Sequence, residues 1–115
     1  MEPLLPTLRK RQRYIAVEVL SKTFIQRNAF INAVSQSGRS LLGDVGFAKC
    51  GISVLGFENN LGIIRCTHTS VSETVGILAF IKIIDGEPVI LRTLGVSGTI
   101  KGAEVKYLQK KKVQN

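Results

Sequence analysis

The sequence predicts an α+β domain in which one antiparallel, four-stranded sheet carries its helices on a single face. Runs with strand-like alternation and runs with helical spacing follow one another in the order β-α-α-β-β-α-β. The chain has 115 residues, 44% of them hydrophobic and 21% charged, which suits one domain with one core. Two right-handed β-α-β crossovers around a central hairpin give the ferredoxin-like arrangement.

The first half of the chain predicts one strand and two helices. Residues 14–20 are largely β-branched and alternate, which is typical of a strand. Ser21 or Thr23 can cap the first helix, whose apolar spacing runs towards Gly38, a residue suited to a left-handed stop. A second, shorter helix is expected to end at Gly51.

The second half predicts a hairpin, a third helix and a last strand. Two strand-like runs flank Asn59-Asn60, a dipeptide that favours a tight turn. Ser70-Val71-Ser72-Glu73 fits a capping box, and the helix that it opens is expected to end near Asp85-Gly86. Residues 89–94 then form the last strand. RNA-recognition-motif domains share this arrangement, but so do enzymes and ligand sensors, so the fold alone leaves the function open.

The charge of the chain is concentrated at its two ends. The net charge is +8, from 16 Lys and Arg against 8 Asp and Glu. Residues 1–13 carry +3 and residues 101–115 carry +4, whereas residues 14–100 carry only +1. We therefore divide the chain into a basic N-terminal arm, a folded domain and a basic C-terminal tail. Such ends favour a polyanion, although a membrane surface or a nuclear-import receptor also reads basic clusters.

Several other classes of protein receive little support. No apolar run approaches the ~20 residues that span a bilayer, and the N-terminus lacks the layout of a signal peptide. We expect a cytoplasmic location, or a nuclear one if the source is eukaryotic. Cys50 and Cys66 are expected to be buried, reduced thiols. Cys66 and His68 offer too few ligands for a metal site. The sequence also has no cluster of carboxylates that could hold catalytic metal ions, so no catalytic residue is predicted.

Three stretches of the chain match one known family in consistent order. They are Arg13–Val19, then Leu42–Ala48 with Gly51 and Gly62–Cys66, and finally Arg92–Lys101. Together they resemble the ribonuclease P protein component 2 family of archaea and eukaryotes, over about residues 6–102. The last stretch is the most specific. The short chain, without a long acidic C-terminal extension, looks archaeal.

The resemblance implies a subunit of the ribonucleoprotein that removes 5′ leaders from precursor tRNAs. Members of the family are similar in fold to RNA-recognition motifs and bind the catalytic RNA, which holds the Mg²⁺ ions. The polypeptide itself is then expected to bind no cofactor. The family pairs with an α/β-barrel subunit, ribonuclease P protein component 3, and the pair can form a heterotetramer. The implied partners are ribonuclease P RNA, precursor tRNA in the holoenzyme and component 3, with no membrane.

Basic side chains before and within the sheet are the predicted RNA contacts, since arginine forks and lysine charges bind phosphate. Strand alternation places Arg65 and Arg92 on the open sheet face, where each binds phosphate, pairs with Glu18 or supports a partner. Gly95 and Gly98 either turn the chain off the sheet edge or expose amides that grip phosphate beside the Ser97 and Thr99 hydroxyls. The predicted RNA-binding residues are Arg9, Lys10, Arg11, Arg13, Arg65, Arg92, Ser97 and Lys101.

The open sheet face lacks the aromatic signature with which RNA-recognition motifs stack bases. The sequence therefore predicts recognition of phosphate and shape over recognition of bases. Leu55, Ile63 and Ile90 are expected to leave apolar surface on this face, which suits a protein partner.

Two other functions would share some of these sequence features with a ribonuclease P subunit. An unrelated ribosomal or general RNA-binding protein would share the charge pattern. A small hydrolase of the acylphosphatase type would share the size and fold, but it would need an anion-binding glycine loop with an arginine after the first strand. Ser21-Lys22-Thr23-Phe24 stands there instead.

Overall fold

A computed structural model describes residues 11–108 of the chain. Four strands, Ser53–Glu58, Leu61–Thr67, Gln12–Leu20 and Ile90–Ser97, form one sheet in that order, with antiparallel neighbours, so the predicted four-stranded fold is confirmed. Within this part of the chain, no helix combines the length and apolar character needed to cross a membrane. The elements are β1 (Gln12–Leu20), α1 (Arg27–Cys50), β2 (Ser53–Glu58), β3 (Leu61–Thr67), a 3₁₀ turn (His68–Ser70), α2 (Val71–Phe80), β4 (Ile83–Ile84), β5 (Glu87–Pro88), β6 (Ile90–Ser97), α3 (Ile100–Ala103) and a π-helical turn (Glu104–Leu108).

The main core lies between the sheet and the helices α1 and α2. Ile15 and Val17 in the middle of β1 have no solvent exposure, because one face of the central strand is fully covered. Phe30 of α1 stacks on Phe57 of β2, with ring centroids 4.2 Å apart and the rings inclined by 9°. Ile64 of β3 completes this layer. Helices α1 and α2 thus cover one face of the sheet, and neither of them covers the other face.

The first helix begins at Arg27, so the predicted start near Ser21 or Thr23 is wrong. The side chain of Asn60 in the β2–β3 hairpin explains the difference. Its Oδ1 accepts a hydrogen bond from the Ile25 N–H at 2.8 Å, and its Nδ2 donates to the Thr23 carbonyl at 3.0 Å. These bonds hold the segment before α1 against the hairpin, where its backbone groups are unavailable to a helix.

The first helix also breaks at a different glycine from the one predicted. Gly38 is buried inside α1, and a Cβ at this position would overlap the ring of Phe47, so its role is close packing. The helical path is interrupted at Gly43, which has φ 72° and ψ 172°. Gly51 ends α1 in the left-handed conformation, as predicted.

Two tight turns use residues with positive φ at both central positions. Asn59 and Asn60 have φ of 55° and 64°, so the predicted hairpin turn is confirmed. Asp85 and Gly86, with φ of 52° and 79°, turn the small β4–β5 hairpin. Helix α2 therefore ends at Phe80, earlier than predicted, because the residues that follow pair as strands.

Helix capping departs from the sequence prediction at α2, and α3 has a cap for which no prediction was made. The predicted capping box at Ser70 is wrong, because no side-chain capping bond forms there. The Ser70 hydroxyl instead accepts a hydrogen bond from the Thr67 hydroxyl at 2.9 Å, and the Ser70 carbonyl accepts one from the Thr74 hydroxyl at 2.7 Å. At α3, the Thr99 hydroxyl accepts a hydrogen bond from the Gly102 N–H at 3.0 Å and caps the helix.

Candidate nucleic-acid interface

The strand registers define which side chains share the open sheet face. Tyr14 of β1 lies directly between Arg65 of β3 and Ser97 of β6, and Glu18 lies opposite Arg92. Directly opposed residues of antiparallel strands point to the same face, which agrees with the predicted orientation of both arginines. Their rungs are four residues apart along β1, which places the two Cα atoms roughly 16 Å from each other. The structure does not bring the two arginines together.

Helical residues 100–108, here called the C-terminal segment, cover the middle of the open face. Ala103 and Ala16 have no solvent exposure, although both lie on this side of the sheet. The ring of Tyr107 packs so closely on Gly95 that a Cβ there would overlap it. Ile63 retains only 4% exposure. The prediction that Ile63 leaves apolar surface exposed is therefore wrong, because the C-terminal segment covers it.

The three predicted partner contacts lie in two separate places. Ile90 is 62% exposed at one end of β6, opposite Leu20, which is 44% exposed. Leu55 is half-buried where the β2–β3 register shifts, and it lines the same groove as Ile63. Contact of these residues with a protein partner stays a prediction.

The backbone before β1 is fixed by the turn that follows β3. The Arg11 carbonyl accepts a hydrogen bond from the His68 N–H at 2.9 Å, and the His68 Nδ1 lies 3.3 Å from the same oxygen. The Arg11 side chain remains exposed. Arg9 and Lys10, also predicted as RNA contacts, lie outside the described residues.

Arg13 and Arg65 lie close together at the end of the sheet where β1 begins. Arg13 is in register with Cys66, the residue after Arg65, so the two arginine Cα atoms are about 6 Å apart. Their side chains leave opposite faces of the sheet. Arg13 is half-buried, and its Nη1 donates a hydrogen bond to the Gln12 carbonyl at 2.9 Å, which orients the guanidinium.

Arg65 has an unused donor in a partly buried position. The side chain is half-buried, and its Nε is buried without a hydrogen-bond partner among residues 11–108. Because this Nε is buried, an acceptor from outside the domain would have to be bound by the terminal N–H groups of the guanidinium. Phosphate oxygens match the geometry of a guanidinium.

The two glycines of the block after Arg92 differ in their roles. Gly95 lies within β6, so neither alternative holds for it, whereas Gly98 lies in the bend directly after β6, where the chain leaves the sheet, as the first alternative predicts. The Ser97 hydroxyl accepts a hydrogen bond from the Thr99 N–H at 3.3 Å, and the Thr99 hydroxyl serves as the cap of α3. Both hydroxyls are therefore engaged locally. Lys101 is exposed just beyond them, on the same end of the sheet as Arg65.

Both cysteines are free and buried, as predicted. Burial raises the pKa of the Cys66 thiol, because desolvation disfavours the thiolate, and a hydrogen bond with Thr74 opposes this effect in part. Both residues therefore contribute to packing, and burial keeps the Cys66 thiol in its protonated form near neutral pH.

A groove of about 360 Å³ separates the β2–β3 hairpin from the C-terminal segment. Sequence reasoning missed it, because residues 101–115 were assigned to a basic tail outside the folded domain. The signal was present: Thr99 precedes apolar residues at helical spacing, ending at Tyr107 and Leu108. The groove is lined by Leu55, Gly56, Phe57, Glu58, Leu61, Gly62, Ile63, Ile100, Glu104 and Leu108.

The fold is that of a small ferredoxin-like α+β protein, and basic side chains lie at the end of its sheet where β1 begins. The sequence profile of the Rpp14/Pop5 family matches residues 13–108. The chain belongs to this family, and the predicted resemblance is confirmed.

Relatives match along nearly their whole length. Ribonuclease P protein component 2 of Methanosarcina mazei is 48% identical over 109 residues, covering 95% of this chain and 94% of the relative. The protein of the same name from Archaeoglobus fulgidus is 37% identical, covering 95% and 99%. A chain in the cryo-EM structure of yeast ribonuclease MRP superposes with a TM-score of 0.66 at 16% identity, covering 92% of this chain and 90% of that one. This likeness supports the fold.

Proposed function

We propose that the chain is a protein subunit of ribonuclease P that binds the catalytic RNA and contributes no catalytic group of its own. The observation that carries this proposal is that Arg11, Arg13, Arg65 and Lys101 all lie at the end of the sheet where β1 begins, with the Arg13 and Arg65 side chains on opposite faces. Arg13 and Arg65 are half-buried on strands, and Arg11 and Lys101 are exposed. Such a set suits a folded polyphosphate.

The cations act on RNA by charge and by geometry. Folded RNA packs phosphates close together, and bound cations reduce their mutual repulsion while counterions are released. Arg65 has a fixed backbone on a sheet strand and a half-buried side chain, so little conformational entropy is lost when it forms a forked contact with phosphate. Arg11 and Lys101 add exposed charge. The protein thereby favours the compact form of the RNA.

The cleavage chemistry belongs, in this proposal, to the RNA. Mg²⁺ held by the RNA activates water for attack on the phosphodiester. Precursor tRNA is then the substrate of the holoenzyme, and the α/β-barrel component 3 is the expected protein partner, with a heterotetramer as one assembly. The isolated polypeptide is not expected to cleave precursor tRNA.

The proposal is tested by salt-dependent binding of ribonuclease P RNA to Arg65→Gln. Each phosphate contact contributes about 0.7–0.9 to the slope of log K against log salt concentration, so the variant should bind more weakly with a slope reduced by about that amount. Arg39→Gln is the matched control, since Arg39 lies on α1 with a side chain 62% exposed and pairs with Asp44 at 3.6 Å.

Two outcomes would contradict this assignment. If Arg65→Gln and Arg39→Gln change the slope equally, the end of the sheet is not the RNA site. If the wild-type chain binds an unstructured RNA of equal length as tightly as ribonuclease P RNA, it is a general RNA binder.

A further inference from the structure

We propose that the groove between the β2–β3 hairpin and the C-terminal segment binds a segment of a partner protein that carries apolar side chains beside lysine or arginine. This inference rests on the proposed function, since it assigns a protein-docking site to a subunit of a larger ribonucleoprotein. It concerns a different surface from the RNA contacts.

The walls of the groove are mostly apolar. Ile63 and Leu61 lie on the sheet side, where they are 4% and 7% exposed. Leu55 borders them from β2, and Ile100 and Leu108 face them from the C-terminal segment. A volume of about 360 Å³ holds several side chains and falls in the range of peptide and ligand clefts. Apolar groups that fill it would shield the exposed parts of Leu55, Ile100 and Leu108 from water, since Ile63 and Leu61 are already nearly buried.

The charges of the groove are opposite to those of the chain as a whole. Glu58 lines it from β2 and Glu104 from the C-terminal segment, and both side chains are exposed. The chain carries +8 overall, with only eight acidic residues, so two carboxylates at one groove form a local exception. They repel a phosphate backbone and attract ammonium or guanidinium groups. The groove therefore favours a cationic peptide over RNA.

The position of β2 gives an extended peptide a backbone partner. Among the described residues, β2 pairs as a strand with β3 alone, so its other edge can accept a further strand, although the Arg27 side chain donates a hydrogen bond to the Val54 carbonyl at 3.4 Å. Extended segments bind such edges by adding a strand, with alternate side chains reaching the adjacent pockets. The shift in register between Val54 and Gly56 limits the length of this edge. Affinity then depends chiefly on the side chains that enter the groove.

The test uses the full chain and three fluorescein-labelled peptides in fluorescence anisotropy. One peptide alternates leucine with lysine, one alternates leucine with glutamate, and one alternates serine with lysine. Only the leucine–lysine peptide should bind well. The double variant Glu58→Gln, Glu104→Gln should bind it about fivefold to tenfold more weakly, as expected for two exposed charge pairs.

A matched double variant, Glu73→Gln with Asp85→Asn, removes two exposed carboxylates outside the groove and should bind the peptide as the wild type does. Melting temperatures of both double variants should equal that of the wild type, because all four side chains lie on the surface or at its margin. Equal weakening by the two double variants would overturn the groove assignment, and so would equal binding of the three peptides.

A measurement of RNA binding distinguishes this proposal from the function on which it rests. The groove double variant should bind ribonuclease P RNA at least as tightly as the control does. If it binds RNA more weakly than the control, and if RNA displaces the peptide from the wild type, the groove is an RNA site and the proposal fails. If the peptide results hold while Arg65→Gln leaves RNA binding unchanged, the proposed RNA site fails and the groove stands.

Discussion

Ile63→Glu should destabilise the fold, because this side chain is only 4% exposed beneath the C-terminal segment. Removal of a buried isoleucine from its apolar site costs about 2–3 kcal/mol. The new carboxylate either takes up a proton or displaces the C-terminal segment, and both add to the loss. We therefore expect the free energy of unfolding to fall by at least about 3 kcal/mol. In a domain of this size, that corresponds to a melting temperature about 12–24 °C lower.

The measurement is thermal unfolding followed by circular dichroism, with Ile90→Glu as the control. Ile90 carries the same side chain on the same face but is 62% exposed, so its substitution should change the free energy of unfolding by no more than about 0.5 kcal/mol. If the two variants melt within a few degrees of each other, the C-terminal segment does not cover the sheet, and the groove described above does not exist in the free protein.

Three further predictions concern the fold and its buried thiol. Asn60→Ala removes two hydrogen bonds and leaves an alanine at φ 64°, so it should cost about 2–4 kcal/mol in urea unfolding, whereas Asn59→Gly should be nearly neutral. Gly43→Ala should cost about 1–2 kcal/mol because φ is 72°, whereas Gly76→Ala, with open space around its Cβ in α2, should stabilise by about 0.5–1 kcal/mol. Because the pKa of Cys66 is higher in the folded chain than its ordinary 9.0, stability should fall as the pH rises above that value, when only the unfolded chain gains a thiolate. Cys66→Ala should lack this part of the pH dependence.

Features set by neighbouring residues could be predicted from the sequence. The alternation of Ile15 with its neighbours identifies β1, and Asn59-Asn60 supplies both left-handed residues of the hairpin turn. Gly51 ends the first helix because it accepts φ 59° without strain. The same alternation places Arg65 and Arg92 on one face. In each case the interactions that determine the feature lie within a few residues of the sequence pattern that predicts it.

Features set by distant residues could not be predicted. The start of α1 depends on Asn60, which lies 35 residues from the Ile25 amide that it binds. Glycine is a common helix-ending residue, so Gly38 was expected to end the first helix. The ring of Phe47 occupies the space beside Gly38, however, and the helix breaks at Gly43 instead. Local propensity is equal for such glycines, so tertiary packing decides between them.

The smallest residues on the open face explain why this sheet does not need base-stacking aromatics. Gly95 and Ala16 lie side by side on adjacent strands, and together they leave room for Ala103 and the Tyr107 ring to approach the sheet. A larger side chain at Gly95 would hold the C-terminal segment away. The strip that a base-stacking domain uses for RNA is therefore filled by the chain itself, and the proposed RNA site lies instead at the end of the sheet where β1 begins. The C-terminal segment also forms one wall of the groove that Glu58 and Glu104 line. Its packing on the sheet therefore places this acidic groove apart from the basic residues at the end of the sheet.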